Sequence, residues 1–192
     1  MQTSQMIFDK AALRVERDGA DALSMRQLAN EINVTPMALY RHYASRDALL
    51  DAIANRYFSE LGVRWKAYAA GNDYKKTLLF IGDDLVRFYL KHPHIYQLMF
   101  IKPRAQARIV SDPASGDESP TLSVVISAVQ KGIAVNQLAG GSTQEIALAL
   151  AGQLHGLAAL HQGGRIRMAD SQFRTFCQQA FTRAISAYKV IT

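Results

Sequence analysis

An all-α fold of nine to ten helices is predicted for these 192 residues by three observations. Apolar residues recur at the i, i+3, i+4, i+7 spacing of a helix face almost everywhere. No stretch sustains the alternation of a half-buried strand, and capping residues, prolines or glycines mark the ends of the periodic runs. A composition of 49% hydrophobic and 20% charged residues can bury a substantial core, which excludes wholesale disorder and collagen-like or low-complexity chains.

The first helix, about Ser4 to Asp18, places Phe8, Ala11, Ala12 and Val15 on one stripe, and Gly19 follows where a left-handed residue would end it. Ser24 offers a capping hydroxyl to a helix of about two turns whose inward residues are Met25, Leu28, Ala29 and Ile32. Asn33 and Val34 form a break. Thr35 then caps a second short helix with Pro36 at its first position and Leu39 and Tyr43 facing inward. Ser45 caps a long fourth helix, striped by Leu50, Ile53, Tyr57, Leu61 and Trp65 and running to about Ala70. A fifth, about Asp73 to Lys91, is apolar on most sides and reads as central, with Asp83 and Arg87 spaced to pair.

The His92-Pro93 pair stops the fifth helix, and Pro93 opens a short apolar helix through Ile101. A further turn from Arg104 to Val110 and a loop over Ser111 to Ser119 follow, the loop rich in turn formers and acids. Ser119-Pro120 restarts a helix expected to end near Gly140-Gly141. Ser142 with Glu145 makes a capping box for a helix to about Gln162, and Asp170 is expected to cap the last one. The domain division expected from this order is 1–47 and 48–192.

Charge is informative once it is located. The whole chain carries +6, yet residues 1–60 hold seven basic against eight acidic side chains, a net −1, and residues 61–192 carry +7. A polyanionic partner for the N-terminal part must therefore be argued from position and not from the total. A lone cysteine, Cys177, cannot form an intramolecular disulfide. The mixed polar pattern of Met1 to Lys10 is not that of a signal peptide, and no run approaches the roughly 20 apolar residues of a membrane span. A cytoplasmic protein with no membrane partner is the expectation.

The stretch Met25 to Tyr43 reads helix, four-residue turn, helix, with a supporting helix before it and a capped helix after it. This is the layout of a helix-turn-helix DNA reader, whose second helix enters the major groove. With Leu39 and Tyr43 turned in, Pro36, Met37, Tyr40 and Arg41 face outward, where apolar groups can touch thymine methyls; Tyr40 and His42 can hydrogen-bond phosphates. Arg26 can reach a guanine edge or a phosphate, and Arg46 adds a cation at a helix N-terminus. An ordinary helical hairpin in a core is the bland alternative.

The segment SMRQLANEINVTPMALYRHYASRDALL, Ser24 to Leu50, resembles the DNA-binding segment of the TetR (tetracycline-repressor-like) family of bacterial transcriptional regulators. The match rests on Leu28-Ala29, on Val34, on the Leu39 to Tyr43 run and on Arg46-Asp47 before Leu49-Leu50. The resemblance implies DNA contacts at Ser24, Arg26, Thr35, Pro36, Met37, Tyr40, His42 and Arg46. Two positions depart from the family pattern. Asn33 stands where Gly is usual, and Arg46 where Lys is usual. His92-Pro93 with the run Ile95 to Phe100, and the segment QLHGLAALHQGG, resemble the C-terminal domain of a subgroup with a Trp-His-Gly signature, whose Trp position is Leu154 here.

That likeness implies a pocket for a small hydrophobic or amphipathic effector. Trp65, Phe80, Phe88, Tyr96, Met99 and Phe100 are the candidate walls, with Asp84, Gln97 and His155 the candidate polar groups. It also implies a homodimer built on the last two helices. There the small residues Ala149, Gly152, Gly156 and Ala159 form a stripe flanked by Ile146, Leu150, Leu157 and Leu160, with Phe173, Ala180, Ala184 and Tyr188 from the final helix. Packing within one subunit is the alternative for that stripe, as core filling is for the aromatics.

Metal and catalytic readings find little support. His92 and His94 are two apart, His155 and His161 six apart, and no His-Glu-x-x-His or Cys-x-x-Cys spacing occurs. The adjacent Asp83 and Asp84 point about 100° apart on a helix, so no catalytic residue, metal or cofactor is expected. The sequence thus predicts a regulator, read as a repressor that binds a palindromic double-stranded operator and is released by an effector. An activator or nucleoid-associated protein of the same fold is the nearer alternative, and an all-helical carrier or enzyme with a vestigial helix-turn-helix the remoter one.

Overall fold

The computed structural model describes residues 2–71, 73–103 and 119–190. Nine α-helices and one 3-10 turn are present among them, with a lone antiparallel bridge between Leu138 and Lys189. The expected turn at 104–110 and most of the expected loop at 111–119 fall outside the described residues.

The chain divides into two compact units, and compactness draws the boundary differently from the sequence division at 47/48. One unit contains α1 (Gln2–Asp18), the 3-10 turn η1 (Ala20–Ala22), α2 (Met25–Glu31), α3 (Pro36–Tyr40), α4 (Arg46–Ala69) as far as Phe58, and α6 (Pro93–Phe100). The other contains α4 from Ser59, α5 (Tyr74–Lys91), α7 (Leu122–Ala134), α8 (Thr143–Gln162) and α9 (Asp170–Ala187).

In the first unit α6 lies against α1 and η1. Ile7, Ala11, Val15, Leu28, Leu39, Leu49, Ile53, Ile95 and Leu98 are fully or almost fully buried. Ile7, absent from the expected stripe of α1, takes the core position. Phe8 is only half-buried and lies under the Arg56 guanidinium, 5.4 Å from the ring centroid. Polar side chains tie α6 to α1 and η1: His92 Nδ1 donates to Glu16 at 2.5 Å, His94 Nδ1 donates to the Glu16 carbonyl, and Lys102 pairs with Asp21. These partners are some 80 residues apart, so spacing along the chain gave no sign of them.

In the second unit α5 is central, as expected, packing on α7, α8 and α9. Gly82 makes the α9 contact possible, since a Cβ there would lie 2.6 Å from the Phe181 ring. Two helix ends differ from expectation. α7 stops at Ala134 and not near Gly140, because Asn136 adopts a left-handed φ of 54° and the N–H groups of Asn136, Gln137 and Leu138 turn back onto Ile133 and Gly132 carbonyls. Asp170 is the first helical residue of α9 and not its cap; Ala169 is the cap, its N–H donating to the Gln172 side chain at 3.2 Å. No described helix is long and apolar enough to cross a membrane.

Candidate nucleic-acid interface

Helices of seven and five residues are too short to persist alone in water, so α2 and α3 need caps and a core partner. Both have them. Ser24 Oγ accepts the Gln27 N–H at 3.4 Å, and Thr35 Oγ1 accepts the Ala38 N–H at 3.1 Å, with Pro36 in the first turn of α3. Asn33, in the turn between them, has φ 55°, the left-handed conformation that asparagine tolerates better than most residues. Leu39 is the one fully buried residue of α3 and Leu28 and Ala29 are its counterparts in α2, so each short helix is anchored by its inner face.

The outer face is what these anchors present. Met37 and Tyr40 are 68% and 46% exposed, and Thr35, Pro36, Arg41 and His42 are exposed beside them. Arg26, at the start of α2, is exposed, and Ser24 is half-buried. The two capping hydroxyls spend an acceptor lone pair on the helix N–H and retain an O–H donor. Neither Arg26 nor Arg41 makes an ion pair among the described residues. By contrast, several acidic groups of the unit are occupied elsewhere. Glu31 accepts from Arg14 Nη1 at 2.5 Å, Asp18 pairs with Arg17, Glu16 with His92 and Asp21 with Lys102. Within residues 1–60, which net −1, Arg26 and Arg41 thus remain exposed while these acids are engaged.

No motif in the sequence marks Arg14. Its side chain is mostly buried and clamps α1 to α2, Nη1 reaching Glu31 and Nη2 the Gln27 side chain at 2.8 Å. Arg46, expected at a phosphate, turns to the protein: Nε donates to the Leu23 carbonyl at 2.9 Å and Nη2 to the Ala20 carbonyl at 2.5 Å.

The expected effector residues fall in both compact units and are described within each. In the first, Tyr96 is fully buried and its ring lies 5.0 Å from that of Phe100, which meets Phe58 edge-on; Met99 is buried and Gln97 half-buried. In the second, Asp84 is buried and its Oδ2 accepts the Trp65 indole N–H at 2.8 Å and two N–H groups of Arg64. The Asp84 carboxylate is therefore satisfied internally. Phe80 stacks on Tyr68 at 3.8 Å, and Phe88 is buried.

His155 is half-buried on α8, and burial pushes its pKa down to about 4, so the ring is neutral at physiological pH. Asp83 pairs not with Arg87 but with Arg174 at 2.6 Å and Gln178 at 2.7 Å; the Arg174 hydrogen bonds hold its carboxyl below the usual range. His161 donates through Nε2 to the Met168 carbonyl, so its Nδ1 accepts from the Tyr89 hydroxyl at 2.9 Å, and its ring stacks on Phe173. No cluster of three or more His, Cys, Asp or Glu suited to a metal ion occurs among the described residues.

The expected dimer residues also separate by burial. Ile146, Leu150 and Phe173 belong to the core of their own unit and cannot line an outer face. Leu157, Ala180, Ala184 and Tyr188 are half-buried, and Ala149, Gly152, Gly156 and Leu160 are exposed.

Comparison with known proteins agrees with the geometry. Residues 7–53 match the family described as bacterial regulatory proteins, tetR family, and residues 78–187 match the tetracyclin repressor-like C-terminal domain. A curated relative, an HTH-type transcriptional regulator of Saccharopolyspora erythraea, is 28% identical over 103 residues, 54% of this chain; the match spans 42% of that longer protein. Among solved structures, a Rhodococcus sp. RHA1 protein of unknown function aligns with a TM-score of 0.73 at 24% identity, covering 95% of this chain and 94% of its own. RolR in complex with resorcinol aligns at 0.64 and 15% identity, covering 96% and 87%. These likenesses support the all-α fold. The two matched segments together span the reader and most of the second unit, and the chain belongs to the TetR family of bacterial transcriptional regulators.

Proposed function

We propose that this chain is a sequence-specific DNA-binding repressor that acts as a homodimer and leaves its operator when a small effector binds. The observation that carries the reading is the outer face of α3: Met37, Tyr40 and Arg41 stand exposed on a five-residue helix capped by Thr35 and anchored by Leu39. Pro36, Met37 and Arg41 meet base edges, Ser24, Thr35 and His42 meet phosphates, and Tyr40 and Arg26 reach either one. Few of these contacts are ionic, so the salt dependence of binding per subunit is modest.

A two-fold dimer places two copies of α3 one helical turn of DNA apart, about 34 Å or a multiple of it. Support for the dimer comes from the exposed Leu148 and Leu160 of α8, beside Gly152 and Gly156, where a Cβ would meet nothing within 4 Å. Support for a small effector comes from the likeness to RolR, which binds resorcinol. An effector releases DNA only by preferring a subunit arrangement with the wrong half-site spacing.

The test is selection of duplexes from a randomised library by the purified protein, followed by gel-shift titration and a thermal-shift screen of small aromatic and amphipathic compounds. Enrichment of a palindromic site, released by a compound that raises Tm, is the expected result; no enrichment removes the reading. For the dimer, Gly152→Leu should give a monomer by light scattering. The open space at Gly152 accommodates the side chain within one subunit, so a persistent dimer places the interface elsewhere.

A further inference from the structure

Arg46 is the first residue of α4, and a cation in that position would ordinarily be assigned to a DNA phosphate. Its surroundings point elsewhere. Nε and Nη2 fork onto the carbonyls of Leu23 and Ala20, the two ends of the turn that delivers the chain into α2, and both of those residues are buried. Nη1 faces Asp47 at 3.4 Å and Nη2 is 3.9 Å from Asp21, so two carboxylates already flank the guanidinium. A phosphate approaching this group would meet an arginine whose Nε and Nη2 are already donating to backbone carbonyls and which has two exposed carboxylates beside it.

The turn itself needs holding. Gly19 precedes it at φ 85°, no side chain caps η1, and the Leu23 N–H to Ala20 carbonyl bond at 3.1 Å is its main internal tie. Immediately after Leu23 come Ser24, the cap of α2, and Arg26. The planar guanidinium meets both carbonyls in one fixed fork; a lysine ammonium can be shared between carbonyls, as Lys131 is between Ala69 and Gly71, but it is a rotatable point charge and does not fix the distance between them.

We propose that Arg46 is a positioning residue of the DNA reader: it fixes the approach of the chain to α2, and so the placement of Ser24 and Arg26 beside α3, and it does not bind phosphate. The inference rests on the DNA-reading function proposed above.

The experiment compares Arg46→Lys and Arg46→Met with the parent protein on two duplexes across a salt series, well below the Tm of each variant. One duplex is the sequence that the parent enriches from the randomised library, and the other is a scrambled version of it. Both variants should lose tenfold or more on the enriched duplex and less than twofold on the scrambled one, with the slope of log K against log[salt] unchanged. A phosphate ligand behaves oppositely. Arg46→Lys then keeps its affinity within twofold, and Arg46→Met weakens both duplexes alike and lowers the slope by about 0.9 for each phosphate no longer neutralised. That result overturns the proposal, as does unchanged affinity in both variants, which marks Arg46 as serving stability alone.

Should Arg46→Met not fold, Arg46→Lys decides the matter by itself, because the two roles predict opposite outcomes for it. If the parent enriches no sequence, the DNA-reading function has failed, and not the role of Arg46 within it.

Discussion

The two compact units use charged side chains in opposite ways. In the unit holding α2 and α3, Arg26 and Arg41 project outward without an ion pair among the described residues, while nearby acids are bound by Arg14, Arg17, His92 and Lys102. In the unit centred on α5, arginines are drawn onto that helix: Arg64 to the buried Asp84, and Arg174 to Asp83. In the first unit the exposed cations thus include Arg26 at the start of α2 and Arg41 at the end of α3, whereas in the second the anchored ones gather on the central helix. Where a charge is anchored says more about a polyanionic partner than how many there are.

The same contrast holds for side-chain burial, and the largest expected effect tests it. Leu39 is the sole full anchor of α3, whereas α5 buries ten residues. Leu39→Ala should cost about 2–5 kcal/mol of unfolding free energy in denaturant titration. Met37→Ala, on the exposed side of the same helix, should stay within about 0.5 kcal/mol. Equal losses would mean that α3 is not held by its inner face.

Next in size is the chemistry of that exposed face. Tyr40→Ala should leave thermal stability nearly unchanged and weaken binding to a selected duplex roughly tenfold or more, in line with about 1–3 kcal/mol for a specific contact. Full retention of affinity would remove α3 as the reader. An exposed residue of the second unit, Tyr68, is the matched control: Tyr68→Ala should leave DNA affinity alone.

How much of this was legible in the sequence follows from the range of each interaction. The caps Ser24, Thr35, Ser45 and Ser142 all act within three residues and each hydroxyl accepts the expected N–H, although at Ser142 the Glu145 side chain does not return the bond that would complete a capping box. Asn33, standing where the family pattern has glycine, adopts the positive φ. What spacing could not give was long-range pairing. Asp83 finds Arg174, 91 residues away, in place of Arg87 four residues away, because α9 lies against that side of α5. Arg46 finds carbonyls 23 and 26 residues earlier, which no pattern of residue types could announce, since backbone carbonyls carry no sequence signature. The effector and dimer residues were the least legible. Aromatic and small residues at helical spacing serve core and surface equally well, and burial alone separated Ile146, Leu150 and Phe173 from Gly152 and Leu160.

Acid should separate the units through His155. In the unfolded chain this histidine takes up a proton near pH 6.5, while in the fold burial delays uptake to about pH 4. The neutral ring therefore leaves stability intact above pH 6.5, and stability is lost as pH falls towards 4. The loss between pH 7 and pH 5 should be about 2 kcal/mol, read from unfolding at the two values. His155→Phe should flatten that dependence. An unchanged slope in the variant would place the acid sensitivity on other groups.

The smallest effect expected is the contrast between two arginine–aspartate pairs of similar length. Arg174 reaches Asp83 across two helices at 2.6 Å, and Gln178 adds a third hydrogen bond to a carboxylate that is only 21% exposed. Arg17 reaches its own neighbour, Asp18, at 2.7 Å on the surface, with 76% of its side chain exposed. Arg174→Met should therefore cost about 1 kcal/mol, because it leaves a partly desolvated carboxylate short of its donors. Arg17→Met should fall within the error of denaturant titration, because water replaces the lost partner at once. Equal costs would show that screening and not burial sets the worth of these pairs.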